Sequence, residues 1–206
     1  MRKLMLFIAA LAVLGVAGIA GAAKSPGVTI LASRPTVVYG GTVTLSGKVS
    51  SQAAGENVVV MAKPYGSASF TQVDLVTTTT GGAWSDPVSP QIKTSYAAQW
   101  GTATSASVTV KVRPQIVLSL DSRTARRGTF SVQVNGAHSF AGKHVLVQRL
   151  GSNGVLTVKR VALNSSSSAT FTIRLPKHRA RVRVVMPVSQ AAPGYLAGYS
   201  NVWKSS

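Results

Sequence analysis

Pro35-Thr36-Val37-Val38-Tyr39-Gly40-Gly41-Thr42-Val43-Thr44-Leu45-Ser46-Gly47 returns in degraded form as Arg123-Thr124-Ala125-Arg126-Arg127-Gly128-Thr129-Phe130-Ser131-Val132-Gln133-Val134-Asn135-Gly136. Each copy is a turn, then Gly-Thr, then an alternating apolar run, then Gly. Each is followed by Ala-Gly and an apolar stretch: Ala54-Gly55 before Val58-Val59-Val60, and Ala141-Gly142 before Val145-Leu146-Val147. A repeat on this scale means one supersecondary plan used twice. Alternation of apolar and polar residues with period 2 marks strands with one buried face. The plan is therefore built of β-strands.

Outward from the first copy, Val28 to Leu31 reads as a strand and Ser33 to Thr36 as a turn. Val43 to Val49 alternates across Gly47, Val58 to Ala62 and Phe70 to Thr78 follow, and Gly81-Gly82 turns the chain into Ala83-Trp84-Ser85. Tyr96, Ala98 and Trp100 share one face of the next run, and Val108, Val110 and Val112 share a face of the last. Short strands at near-regular spacing, with no helical period between them, indicate a β-sandwich. The second copy runs from Ile116 through Phe130, Val132 and Val134, Val145 to Leu150, the hairpin turn Gly151-Ser152-Asn153-Gly154, Leu156 to Leu163, Thr170 to Leu175 and Arg179 to Met186. Asn-Gly supplies the positive φ angles of a tight hairpin. Matching by residue type sets Phe171 against Trp84, Pro176 against Pro90, Val182 against Tyr96 and Met186 against Trp100. The second copy carries a longer insert, Pro187 to Tyr199, before its final strand.

The run Tyr39 to Gly47, then Gly55-x-x-Val58, then Thr94-x-Tyr96-x-Ala98-x-Trp100, resembles the bacterial immunoglobulin-like repeats of secreted proteins, actinobacterial ones in particular. The resemblance covers the first copy well and the second loosely, where the aromatic strand has become aliphatic. It implies an all-β chain of two tandem immunoglobulin-like antiparallel β-sandwiches, and adhesive, spacer or scaffold roles. Its motifs are turns and core positions, so it hardly constrains activity.

The expected organisation is a signal peptide over 1–23, a first sandwich over 24–113 and a second, strongly basic one over 114–206. Met1-Arg2-Lys3 is a basic start, Leu4 to Ala23 is uncharged and apolar, and Ala20-Gly21-Ala22 is a small-x-small cleavage site. Retention as an anchor is the competing reading, because the stretch is about long enough to cross a bilayer. After cleavage no stable membrane insertion is expected. The remainder, about 180 residues, suffices for two small cores and contains no cysteine. Disulfides and thiolate metal sites are thereby excluded, and the modules rest on apolar cores and strand ladders alone.

Charge divides the halves. Lys24 to Arg113 holds 7 basic and 3 acidic residues, net +4, whereas Pro114 to Ser206 holds 13 and 1, net +12. That asymmetry points the second module at anionic polymers, although high charge also serves plain solubility. Arg179, Arg181 and Arg183 alternate with inward Val182, Val184 and Met186, so they form a row along one strand face. Arg174 points outward from the preceding strand, and Lys177, Lys159 and Arg160 extend the candidate anion-binding set if these strands pair. Arginine's planar fork suits phosphate, sulfate and carboxylate. On an exposed strand the same residues also block edge-to-edge aggregation. Stacking aromatics are not found beside the row in sequence. Nucleic acid is therefore expected only as a non-specific polyanion. Tyr195 and Tyr199 in the insert are candidates to grip carbohydrate at a loop tip or to fold back onto the sandwich.

Catalysis is not expected. The four acids, Glu56, Asp74, Asp86 and Asp121, are far apart in sequence, and hydrolytic chemistry needs convergent sets. His138, His144 and His178 lack the spacing of a zinc site, and no loop offers two carboxylates to calcium. Neither metal nor cofactor is expected. The reading from sequence is a secreted, non-enzymatic, extracellular or cell-envelope-associated protein. Its expected partner is an anionic envelope polymer or another surface protein. The alternative is a ligand-free structural spacer of the envelope.

Overall fold

The computed structural model describes residues 27–152, 154–176 and 180–205. The expected leader, Lys177, His178 and Arg179 lie outside the described residues. From the amino-terminal side the chain forms β1 (Leu31–Ala32), β2 (Thr36–Val38), β3 (Val43–Lys48), β4 (Asn57–Pro64) and β5 (Thr71–Thr77). A single 3-10 turn at Thr80–Gly82 leads into β6 (Ala83–Val88), β7 (Thr94–Trp100), β8 (Ala103–Thr104) and β9 (Val108–Arg113). Pro114 alone separates β9 from β10 (Gln115–Arg123). Then come β11 (Arg127–Asn135), β12 (His144–Gly151), β13 (Gly154–Ala162), β14 (Ser168–Arg174), β15 (Arg181–Met186), the short α1 (Val188–Ala191), β16 (Gly198–Tyr199) and β17 (Trp203–Lys204).

The pairing order occurs twice. A three-stranded sheet β1-β3-β6 is matched by β10-β11-β14, and a larger sheet with the path β9-β7-β4-β5 is matched by β17-β15-β12-β13. Val43, Leu45 and Trp84 from one sheet and Val58, Val60, Tyr96 and Val110 from the other are all at most 4% exposed. Phe130, Val132 and Phe171 answer Val145, Val147, Val182 and Val184 in the second half. Alternating apolar faces of two sheets closed on one another make a β-sandwich.

The register repeats as closely as the topology. In β4 and β5, Val60 stands opposite Asp74 and the ladder bulges directly after Val60. In β12 and β13, Val147 stands opposite Lys159 and the ladder bulges directly after Val147. A bulge re-aims the strand and is a feature of the plan, not noise in it. The pairs Ala62–Tyr96 and Arg149–Val182 set Val182 in the place of Tyr96, as the sequence match proposes.

Phe171 does not take the place of Trp84. It stands opposite Phe130 as Val88 stands opposite Val43. Twelve positions lead from Asp74 to Asp86 but ten from Lys159 to Ala169, so the residue facing the third strand's end slips to Ser167. Matching by aromatic type overlooks a shortened turn, whereas hydrogen-bond register does not.

The expected first strand, Val28 to Leu31, is reduced to a bridge at Val28 and the short β1, and a second short strand starts at the end of the expected turn, Ser33 to Thr36. Leu31–Ala32 pairs with β3, whereas Thr36–Val38 crosses to pair in parallel with β9. Pro35 between them has no N–H to give a ladder. The chain is tied on both sides of that step, by Ser33 N–H to Thr44 O at 2.9 Å and Tyr39 N–H to Arg113 O at 2.8 Å.

Candidate functional site

The two described members of the arginine row, Arg181 and Arg183, have the predicted phase. In β15, Arg181 is exposed and Arg183 half-buried, while Val182, Val184 and Met186 are fully buried. β15 is interior to its sheet, flanked by β12 on one side and by β16 and β17 on the other. Arg183 lies opposite Gln148 and donates Nε–H to its Oε1 at 2.9 Å. Arg181 lies directly opposite Lys204, a like-charge pair that stabilises nothing by itself. Arg160 is opposite Leu146, which is opposite Val185, so Arg160 shares the outward face of this sheet two strands away.

Two members of the expected set leave that face. Arg174 is in β14, which pairs with β11 in the other sheet, where it stands opposite Arg127. Consecutive strands of a sandwich need not share a sheet, and β14 and β15 do not. Lys159 pairs with fully buried Val147 and so takes the inter-sheet side of β13, where its Nζ reaches the Thr172 carbonyl of the opposite sheet at 3.4 Å. Strand neighbours point to opposite faces, so Lys159 and Arg160 cannot act together. The basic residues therefore form two groups on opposite sheets, not one field.

An aromatic does stand in the larger group, contrary to the reading from sequence. The Arg183 guanidinium lies over the Tyr199 ring at 5.3 Å and that of Arg113 at 5.5 Å. Tyr199 is 48% exposed. β16 brings it across from Val185, a long-range pairing that spacing in the sequence does not disclose.

Tyr195 does the opposite and folds in. At 5% exposed, it accepts a hydrogen bond from Ala137 N–H and donates one to Gln91 O, each at 2.6 Å. Burial raises its phenol above the usual value. The hydrogen bond from Ala137 opposes that rise, and the neighbouring Tyr39 adds to it. Around it, Lys93 N–H donates to Gly194 O, Leu196 N–H donates to Val112 O, and Arg113 Nη1 donates to Ala197 O. The insert of the second half is thus laced to the last strand of the first.

Two of the four acids converge. Asp74 and Asp86 line one cavity of about 350 Å³ between the sheets of the first sandwich. Asp86 is 2% exposed, and its Oδ2 has no hydrogen-bond partner. Burial, then the charge of the neighbouring Asp74, holds the Asp86 carboxyl above the ordinary 3.8. The Tyr96 phenol in the same cavity is pushed up to about 12, chiefly by burial, with Thr94 pulling it down and Asp86 adding to the rise. Twelve positions separate the two acids in the chain. Convergence follows from β5 and β6 belonging to facing sheets.

Glu56 and Asp121 stay apart from this pair. Glu56 accepts from Ser51 Oγ at 2.6 Å and Asp121 from Ser131 Oγ at 2.8 Å. His138 packs its ring against Phe140 and Tyr195. Among the described residues no group of three metal-ligating side chains converges, and no helix there is long and apolar enough to cross a membrane.

No protein-family model matches the chain, and no curated protein matches it. Among solved structures, the tetra-tandem repeat in the extending region of a large adhesion protein is similar at 14% identity with a TM-score of 0.37. The match covers 87% of this chain and 49% of that one, so the chain spans about half the length of that structure. A likeness of that size carries no inference about binding.

Proposed function

We propose that the chain is a secreted cell-surface binding or scaffolding protein of two immunoglobulin-like modules, whose basic second module contacts anionic envelope polymers. The observation that carries the proposal is the outward face of the β13-β12-β15 sheet. Arg160, Arg181 and Arg183 share it with Lys204, and Arg113 and Arg183 bracket Tyr199 beside it. No acidic residue is in these strands, so the sheet itself supplies no carboxylate to these guanidinium groups. Such a face suits a polymer with repeated phosphate, sulfate or carboxylate groups. A module that merely spaces others needs no such face.

The test uses the full chain, because the insert lacing the two halves rules out judging either half alone. Binding to teichoic acid, heparin and duplex DNA is measured at several salt concentrations. Replacing Arg160, Arg181 and Arg183 with Ser should reduce the salt slope on duplex DNA by about 2–3, close to one unit per lost phosphate contact. The inward Val182, Val184 and Met186 are untouched, so the fold should persist. An unchanged slope would make the face a solubility device and leave the spacer role.

A further inference from the structure

We propose that the cavity between the sheets of the first sandwich is a binding site for a small ligand that joins an ammonium group to an apolar body. Asp86 is the anchoring carboxylate and Asp74 the second acid beside it. This site is separate from the basic face, and either proposal stands if the other fails.

The chain has only four acidic residues against 22 basic ones, yet two of the four line one cavity. Among the described residues, no lysine or arginine lines it. A buried carboxyl without a partner is costly, and Asp86 is such a group: 2% exposed, with Oδ2 unmatched. The fold does not require it. By register the second sandwich sets Ala169 where the first has Asp86, and Lys159 where the first has Asp74, and it builds the same sheets. A cost borne in one copy and removed in the other belongs to something the first copy does.

The walls define the ligand. Val73, Val88, Ile92 and the prolines 64, 87 and 90 are apolar and stiff, and Tyr96 adds a ring. A volume of about 350 Å³ is at the small end for ligand pockets. Calcium asks for six to eight oxygens, more than two carboxyls supply. An ammonium needs only charge and a few acceptors, which the pair provides at one end, while the walls cover an alkyl or aryl body.

Binding is coupled to a proton. The titratable groups facing Asp86 are Asp74 from β5 and Tyr96 from β7. β3 sets Leu45 opposite it, and β4 contributes Ala62 and Pro64. Burial and the charge of Asp74 favour the protonated Asp86 carboxyl in the empty cavity, and an incoming ammonium displaces that proton to solvent as Asp86 ionises. Affinity therefore rises with pH until Asp86 is fully ionised.

The experiment titrates n-butylammonium and benzylammonium into the full chain, followed by NMR shifts of β5, β6 and β7. The isosteric n-butanol and benzyl alcohol, and calcium chloride, are run alongside. Expected is saturable binding of the amines, at least tenfold tighter than the alcohols and strengthening as pH rises through the Asp86 titration. Asp86→Asn should weaken the amines at least tenfold and abolish the pH dependence. Asp74→Asn should weaken them less. Thermal unfolding verifies that both variants fold. Equal binding of the alcohols, absence of amine binding, indifference to Asp86→Asn in a folded variant, or saturation of the same shifts by calcium would each overturn the proposal.

Discussion

At the scale of the residue, the two sandwiches solve one packing problem in two ways. Gly47 stands opposite Trp84 in the first, and a Cβ on Gly47 would strike the Thr29 carbonyl and come within 2.7 Å of the indole Nε1. In the second, Val134 N–H donates to Ser167 O at 3.0 Å, and the Ser167 Oγ accepts from Phe140 N–H at 2.8 Å. A large ring over glycine has been exchanged for a branched side chain beside a small polar one. Trp84→Ala should therefore lose about 3–5 kcal/mol in urea unfolding. Trp100, expected in the core beside it, is only partly buried, so Trp100→Ala should lose clearly less, about 1–2 kcal/mol. Equal losses would refute this ordering. Asp86 makes a pH prediction. Its folded carboxyl titrates above the unfolded value. The stability linked to it is thus greatest below the ordinary aspartate range and is lost as pH rises through the folded value. Asp86→Asn should flatten this descent and unfold later than the parent at neutral pH. An unaltered pH profile would place the proton elsewhere.

At the scale of the element, β15 shows how one strand serves core and surface together. Its valines and Met186 are buried while Arg181 and Arg183 face out. β16 and β17 both pair with its free edge, at Val185–Met186 and at Arg181–Val182. Tyr199 is held where the first of these strands crosses. Tyr199→Ala should weaken polyanion binding by removing the ring that orders Arg113 and Arg183, at roughly 0.5–1 kcal/mol for each exposed cation–π contact. The salt slope should stay as it is, since no charge is lost. A changed slope would mean that the arginines themselves had moved.

At the scale of the molecule, the junction is more than the one proline between β9 and β10. Gly194 to Ala197 of the insert bonds along Lys93, Val112 and Arg113, and Tyr195 bridges Gln91 and Ala137. Tyr195→Phe removes two part-buried hydrogen bonds, from Ala137 N–H and to Gln91 O, so it should cost about 1–2 kcal/mol in all. Faster amide exchange at Ala137, Lys93 and Leu196 should accompany the loss. Exchange confined to the second sandwich would show that the two halves are not coupled through this ring.

The composition and alternation of the chain were enough to establish an all-β sandwich plan used twice, the inward phase of Val182, Val184 and Met186, and the hairpin turns. Each of these depends on neighbours within a few residues, where period and turn chemistry act. The separation of Arg174 from Arg181, the turning of Lys159 to the inner side, and the seat of Tyr199 between two arginines came only with the tertiary structure. So did the meeting of Asp74 with Asp86. These depend on which strands share a sheet and where a ladder bulges. Strand pairing is set by the closing of two whole faces over a common core, a condition distributed along the chain and written in no local stretch of it.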